Sequence, residues 1–428
     1  VFEGTVPLAG TVNVSGLAPG ALVLDTTAAP RWLSGANAGG TGLAFRAEAD
    51  RSYLAVSPEA VLRPEIRHPD AQRLRAVTNR ADYLLIAPRE FLGATGPLVE
   101  RRRSQGLRTR VVALEDIYDQ FGFGEEGPDP VKAFLGYAYH SWQRPSPRYV
   151  LLLGDATYDP KDFTKTGTKD RLPTPLARTS FIWTASDPSY AQVNGNDLLP
   201  DLAIGRLPAA SLAEAQILVG KLLAFEASRR NLSGPAVLVA DNADEAGFFE
   251  RNADEIAALL PGRPVQKLYL RDLAGQGLDA RASIRNALDG GASLLSYVGH
   301  GSIAVWASEN VWNNLDVNAL QPQAHQPLLL TLDCLNGFFH FPPLNSLAEQ
   351  MVKAEGKGAI AAISPSGLSL DEPAHVFHRA LVRQLGSGGH LRLGDAVLAA
   401  QGDYAESGAF PELLAIYHLF GDPAQVIR

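Results

Sequence analysis

From about residue 80 onward, short continuous apolar runs alternate with amphipathic stretches of helix length, and this alternation limits the fold more than any other feature of the sequence. ADYLLIAP (81–88), RTRVVAL (108–114) and RYVLLLGD (148–155) are separated by helical segments such as DPVKAFLGYAYHSW. DLAIGRLP (201–208) leads into an expected helix over 210–229, and a second series follows: AVLVAD (236–241), VQKLYL (265–270), SLLSYVGH (293–300), PLLLTLDC (327–334) and GAIAAIS (358–364). A run that is apolar throughout, rather than at every second residue, suits a strand buried on both faces, as in a parallel sheet covered by helices. The reading is an α/β fold in two subdomains, 79–230 and 231–428. Residues 1–78 are rich in Gly, Pro, Val, Thr and Ala, and predict a small β-rich module, an accessory domain or pro-domain remnant.

A chain of 428 residues with 46% hydrophobic and 20% charged side chains has the balance of a globular protein with a sizeable core. Its net charge of -8 argues against a nucleic-acid partner, which would require a basic stripe. The run Arg101-Arg102-Arg103 reads as a solvated helix face. No apolar run reaches the ~18 residues of a membrane span. No signal peptide is visible, and the chain starts inside strand-like sequence, so a processed form or an excised fragment is expected. The single cysteine excludes an internal disulfide and makes Cys334 conspicuous.

The reactive side chains Asp241, His300 and Cys334 stand at the ends of three strands of the second series, where open α/β sheets bind their ligands. On neighbouring strands, ~4.8 Å apart, such groups can meet. A free thiol with a pKa of ~8.5 needs an adjacent imidazolium to become a nucleophile at neutral pH. His300 can supply one, and Asp241 can either orient the imidazole or merely cap the helix that follows. The glycines of VGHGS allow close backbone approach, which points to the N–H groups of Gly301 and Cys334 as an oxyanion site. Other polar groups have plainer readings. His375 and His378 form an HxxH without a third ligand in view, and His340 ranks behind His300 as a base. Asp155, Asp159, Asp187, Asp197 and Asp201 fall in loops, and Asp155, Asp187 and Asp197 in particular could bind a structural Ca²⁺. Catalysis by a thiol requires no cofactor.

YVGHGS (297–302) and LDCLNG (332–337), in this order, resemble the catalytic motifs of the gingipain, or C25, cysteine peptidases. The resemblance continues through LLLGD (151–155), SDPSYAQVNGNDLLPDLAIGRLPA (186–209) and FGDPAQVIR (420–428), and so covers roughly residues 80–428. It implies a caspase-like αβα fold with a mostly parallel sheet, the active site on the second subdomain, protein or peptide substrates, and a secreted or cell-surface location. His300 and Cys334 match the family dyad. Asp241 falls where the gingipains have glutamate. Where the arginine-specific members place an acid and a tryptophan in the S1 pocket, this chain has Phe249 and Leu370, so an apolar pocket, lined also by Ser366 and Gly367, is expected. Cleavage after arginine would point instead to Asp244, Glu245 or Glu250. Three other readings remain at this point: a transpeptidase, a non-enzymatic binding module, and a metal-dependent hydrolase on the loop at 154–155.

Overall fold

The computed structural model describes residues 1–34, 36–39, 42–63, 72–195, 197–228, 234–275, 277–387, 389 and 391–427. The chain divides into two compact units, Val1–Pro69 and Asp70–Arg428. The first is all β. One antiparallel sheet holds Phe2–Val6, Arg51–Val56, Leu22–Asp25 and Arg31–Trp32 in that order, and a second holds Gly10–Ser15, Gly42–Ala47 and Asn37–Gly39. Inward side chains such as Val23, Phe45 and Tyr53 form its small core.

The second unit is built on one ten-stranded sheet. In chain order its strands are β1 (Tyr83–Ala87), β2 (Thr109–Ala113), β3 (Tyr149–Leu153), β4 (Ala203–Leu207), β5 (Ala236–Ala240), β6 (Val265–Tyr269), β7 (Leu294–Val298), β8 (Leu328–Leu332), β9 (Ala361–Pro365) and β10 (Tyr417–Phe420). In space they lie β6-β5-β7-β8-β9-β10-β4-β3-β1-β2. Most are buried along their whole length, as continuous apolar runs require. One face is covered by helices α1 (Leu92–Ser104), α4 (Leu212–Ala227), α6 (Gly277–Asp289) and α7 (Leu347–Lys353). The other is covered by α2 (Leu114–Phe121) and α3 (Pro128–Ser141) over one half, and by α5 (Phe249–Ala258), α8 (Asp371–Gly386) and α9 (Leu393–Glu406) over the other.

The sheet is not parallel throughout. β10 runs parallel to β4 but antiparallel to β9, so the two halves point in opposite directions. The carboxyl ends of β5, β7 and β8 share one edge, whereas β3 delivers Asp155 to the opposite edge. This arrangement separates the loop at 154–155 from Asp241, His300 and Cys334.

Two buried charges tie the layers together. Arg102, expected on a solvated face, is fully buried and pairs with Glu226 at 2.7 Å and Asp422 at 2.9 Å. A buried guanidinium requires such partners, and these come from distant parts of the chain. Lys221 donates to the carbonyls of Met351, Val352, Ala354 and Lys357 at 2.6–3.2 Å, caging the end of α7. Burial pushes its ammonium down to about 7. The ring of carbonyl acceptors favours the charged form against that burial.

Candidate active site

β5, β7 and β8 are adjacent, with Ala240 opposite Val298 and Val298 opposite Leu332. His300 and Cys334 each lie two residues beyond paired positions, so both follow neighbouring strands at the same edge of the sheet. Close approach by Asp241 and Asp333 leaves room only for glycine on either side of His300. A Cβ on Gly299 would sit 2.3 Å from Asp241 Cβ, and one on Gly301 would sit 2.3 Å from Asp333 Oδ2.

The backbone and one edge of His300 are held in place. Its carbonyl accepts from Tyr297 Oη at 2.6 Å and from the Ala307 N–H at 2.8 Å. Tyr297 in turn stacks on Trp306, with ring centroids 4.4 Å apart. The half-exposed imidazole meets Phe249 edge to face at 5.3 Å, and its Nε2 lies 2.8 Å from Asp244 Oδ2.

The partner of the ring is therefore Asp244 and not Asp241, which corrects the sequence expectation. Asp241 Oδ2 accepts from the His300 backbone N–H at 3.1 Å, and Oδ1 from the N–H of Asn242 at 2.8 Å. The physical reason is reach. Asp241 follows its strand directly and is committed to two local amides, whereas the loop behind it folds back and carries Asp244 over the ring. Burial raises the Asp241 carboxyl, opposed by these two amides. The hydrogen bond from His300 is the main cause that lowers Asp244.

These roles separate in mutants. Asp244→Asn is expected to lower kcat about tenfold with little change in KM, since an orienting group acts on the chemical step. That is far less than the ~10⁴ lost with a buried orienting carboxylate, because solvent screens this pair. Asp241→Asn should instead cost about 1–3 kcal/mol of stability, because its buried oxygens each hold an amide. Steady-state kinetics and denaturant unfolding of the two variants check this; a larger kcat loss in Asp241→Asn would reverse the assignment.

Cys334 is partly buried, and its Sγ donates to the Ser369 carbonyl at 3.6 Å. Burial raises the thiol, backbone hydrogen bonding at Ser369 partly opposes this, and Asp333 adds to the rise. Leu335 adopts a left-handed φ of 66° and donates its N–H to the Gly367 carbonyl at 3.1 Å. A non-glycine residue in this region costs about 1–2 kcal/mol. The conformation turns the chain sharply just after Cys334. Asn336 secures the turn, accepting from Trp306 Nε1 and donating to the Ser302 carbonyl. Leu335 and Asn336 were not anticipated, because strain and a buried side-chain bridge leave no trace in periodicity.

The expected pocket residues divide. Phe249 is 3% exposed and supports the His300 ring, whereas Leu370 is 50% exposed at the start of α8. Ser366 does not present its hydroxyl to a cleft: it is buried and donates to the Ala185 carbonyl at 2.7 Å. Gly367 offers backbone only, packed near Ile416 and Thr184.

The possible calcium ligands are not brought together. Asp155 pairs with Lys353 at 2.8 Å, Asp187 with Arg206 at 2.6 Å, and Asp197 accepts from the Leu199 N–H at 3.1 Å. Among the described residues no cluster of three or more His, Cys, Asp or Glu is placed to hold a metal ion. His375 pairs with Glu255 at 2.9 Å and His378 with Ser296 at 3.1 Å. His340 is buried among Phe338, Phe339 and Tyr158, and burial pushes it down to about 3, which leaves it unsuited to act as a base. Among the described residues no helix is long and apolar enough to cross a membrane.

Comparison with known proteins places this chain in a family. Gingipain R2 and gingipain R1 of Porphyromonas gingivalis are each 25% identical to the chain over 288 residues, 64% of its length. The chain matches 35% and 26% of those two proteins, so it spans only about a third or less of these relatives. The crystal structure of the Arg-specific cysteine proteinase gingipain R aligns with a TM-score of 0.66 at 22% identity, covering 82% of this chain and 78% of that one. The complex of the pro- and mature domains of Porphyromonas gingivalis RgpB aligns at 0.67 and 22%, covering 82% and 80%. The fold is thus the caspase-like α/β fold of the gingipains, and because the model of peptidase family C25 matches residues 76–428, the chain belongs to that family.

Proposed function

We propose that the protein is a cysteine endopeptidase, secreted or surface-located, that cleaves protein or peptide substrates through a Cys334–His300 dyad and a thioester acyl-enzyme. The observation that supports this reading is that His300 and Cys334 each follow, by two residues, positions paired on adjacent strands, within a family of peptidases. With Nε2 engaged by Asp244, the ring nitrogen left for the thiol is Nδ1. The thiol passes its proton to that nitrogen, and the thiolate attacks the scissile carbonyl. The N–H groups of Gly301 and Cys334 hold the oxyanion. His300 then protonates the leaving amine, and water hydrolyses the thioester. No cofactor enters these steps.

The S1 pocket is proposed to be apolar. Supporting this, three acids near the cleft have partners, Asp244 with His300, Glu250 with Arg271 at 3.7 Å and Asp371 with Asn252 at 2.9 Å, while Glu245 is exposed to solvent. Leu370 remains as a half-exposed apolar surface. A P1 arginine would leave water without a carboxylate to receive it. Peptides with P1 Leu, Phe or Met should therefore be cleaved faster than Arg or Lys peptides by about 10–200-fold, the worth of well-fitted apolar contacts. A peptide library digested by native and iodoacetamide-treated protein tests both claims. Cleavage that survives alkylation would defeat the thiol mechanism, and preferred cleavage after Arg would defeat the apolar pocket.

A further inference from the structure

Immediately before the nucleophile lies a carboxyl group that the mechanism leaves unused. Asp333 is 3% exposed, and among the described residues neither of its oxygens makes a hydrogen bond of good geometry. The Thr331 hydroxyl, which also pairs with the Ser364 hydroxyl at 2.7 Å, is the neighbour whose hydrogen bonding opposes the effect of burial on this carboxyl. Asp333 nevertheless occupies a central place. Its own peptide leads into the Cys334 N–H, its carbonyl accepts from Ser369 Oγ at 3.2 Å, and its side chain packs against the Cα of Gly301. It thus lies between the residues whose amides hold the oxyanion in the proposed mechanism. The titratable groups that feel its charge are Tyr297 from β7, Cys334 from its own loop and Tyr417 from β10, and none of them is a cation.

We propose that Asp333 is a positioning residue that spaces the two oxyanion amides, and that it does so as an uncharged carboxylic acid. The assignment of its role in catalysis rests on the peptidase reading above; the assignment of its proton does not. A carboxylate in this place would oppose both the Cys334 thiolate and the oxyanion, since all three negative charges would share a region sheltered from water. A neutral acid fills the same volume without that repulsion. Burial raises the Asp333 carboxyl well above its ordinary range, opposed by Thr331, and among the described residues no cation is paired with it.

The proton can be detected without any assay of peptidase activity. An aspartate in the unfolded chain ionises near pH ~3.9. If the folded chain keeps its proton above that pH, folding is favoured below it and weakens as pH rises towards the folded value. In a Cys334→Ala background, which removes the neighbouring thiol, urea unfolding of the protein with Asp333 and with Asp333→Asn should diverge above pH ~4. The relative unfolding constant should change tenfold per pH unit, to the disadvantage of the aspartate form. Any fixed cost of the amide displaces the two curves without altering this slope. A pH-independent gap between pH 5 and 8 would overturn the neutral-acid assignment. With Cys334 present, Asp333→Ala should lower kcat about tenfold with KM little changed, and Asp333→Asn should recover most of that loss. Failure of asparagine to recover it, with the fold intact, would show that a charge is required and overturn the proposal. If the slope is found but no peptide is cleaved, the proton assignment stands while the positioning role falls together with the peptidase reading.

Discussion

Replacing Cys334 by alanine is expected to lower peptide cleavage by a factor on the order of 10⁴ or more, because the covalent route disappears with its nucleophile. The fold should survive. Among the described residues the sulfur's hydrogen bond is a long one, to the Ser369 carbonyl at 3.6 Å, so little hydrogen bonding is lost. Since Cys334 is the only cysteine in the chain, iodoacetamide should add one label to the native protein and none to the variant. The rate of labelling carries further information. Burial raises the resting thiol, so rapid alkylation at neutral pH requires His300 to draw off the proton. His300→Ala should therefore slow labelling as well as cleavage. Wild-type cleavage by Cys334→Ala would remove the cysteine-peptidase reading altogether.

The strands around this site were readable in the sequence because each is apolar along its whole length. AVLVAD, SLLSYVGH and PLLLTLDC end in the loops that carry Asp241, His300 and Cys334, and the corresponding strands are Ala236–Ala240, Leu294–Val298 and Leu328–Leu332. Tyr417–Phe420 escaped notice. It has only four residues, follows the short helix Leu413–Ile416 without a break, and pairs with strands far away in the chain. Yet this strand reverses the direction of the sheet and joins its halves. Local pattern reports burial, whereas strand order depends on remote partners.

The same distinction explains the carboxylate. A strand's end predicts where Asp241 stands, but it does not say how a non-periodic loop folds back, and that fold decides that Asp244 reaches the imidazole. Arg102 follows the same logic. Three consecutive arginines look like a solvated face until a distant glutamate and aspartate are brought to the middle one.

Gly301→Ala is expected to damage both the fold and the chemistry, and the reason lies in the shared packing of the two proposed oxyanion residues. A Cβ at this position would lie 2.3 Å from Asp333 Oδ2, 2.7 Å from Cγ and 2.8 Å from Cβ. The nearest atoms belong to a short, buried side chain with no open space to enter, so either the aspartate or the 299–301 turn must shift. Overpacking of this kind costs about 1–3 kcal/mol. The turn also carries His300 and one proposed oxyanion amide, and a displacement of ~1 Å in such groups can reduce turnover by ~10²-fold. Thermal unfolding and kcat measured on the single variant give both numbers. A second substitution separates the clash from other causes: Asp333→Gly removes all three contacting atoms, so the double variant should regain much of the stability lost by Gly301→Ala alone. Without Asp333 to space the amides, the double variant should not regain its activity. Equal stability of the single and double variants would place the damage elsewhere in the turn and would count against close packing of Gly301 on Asp333.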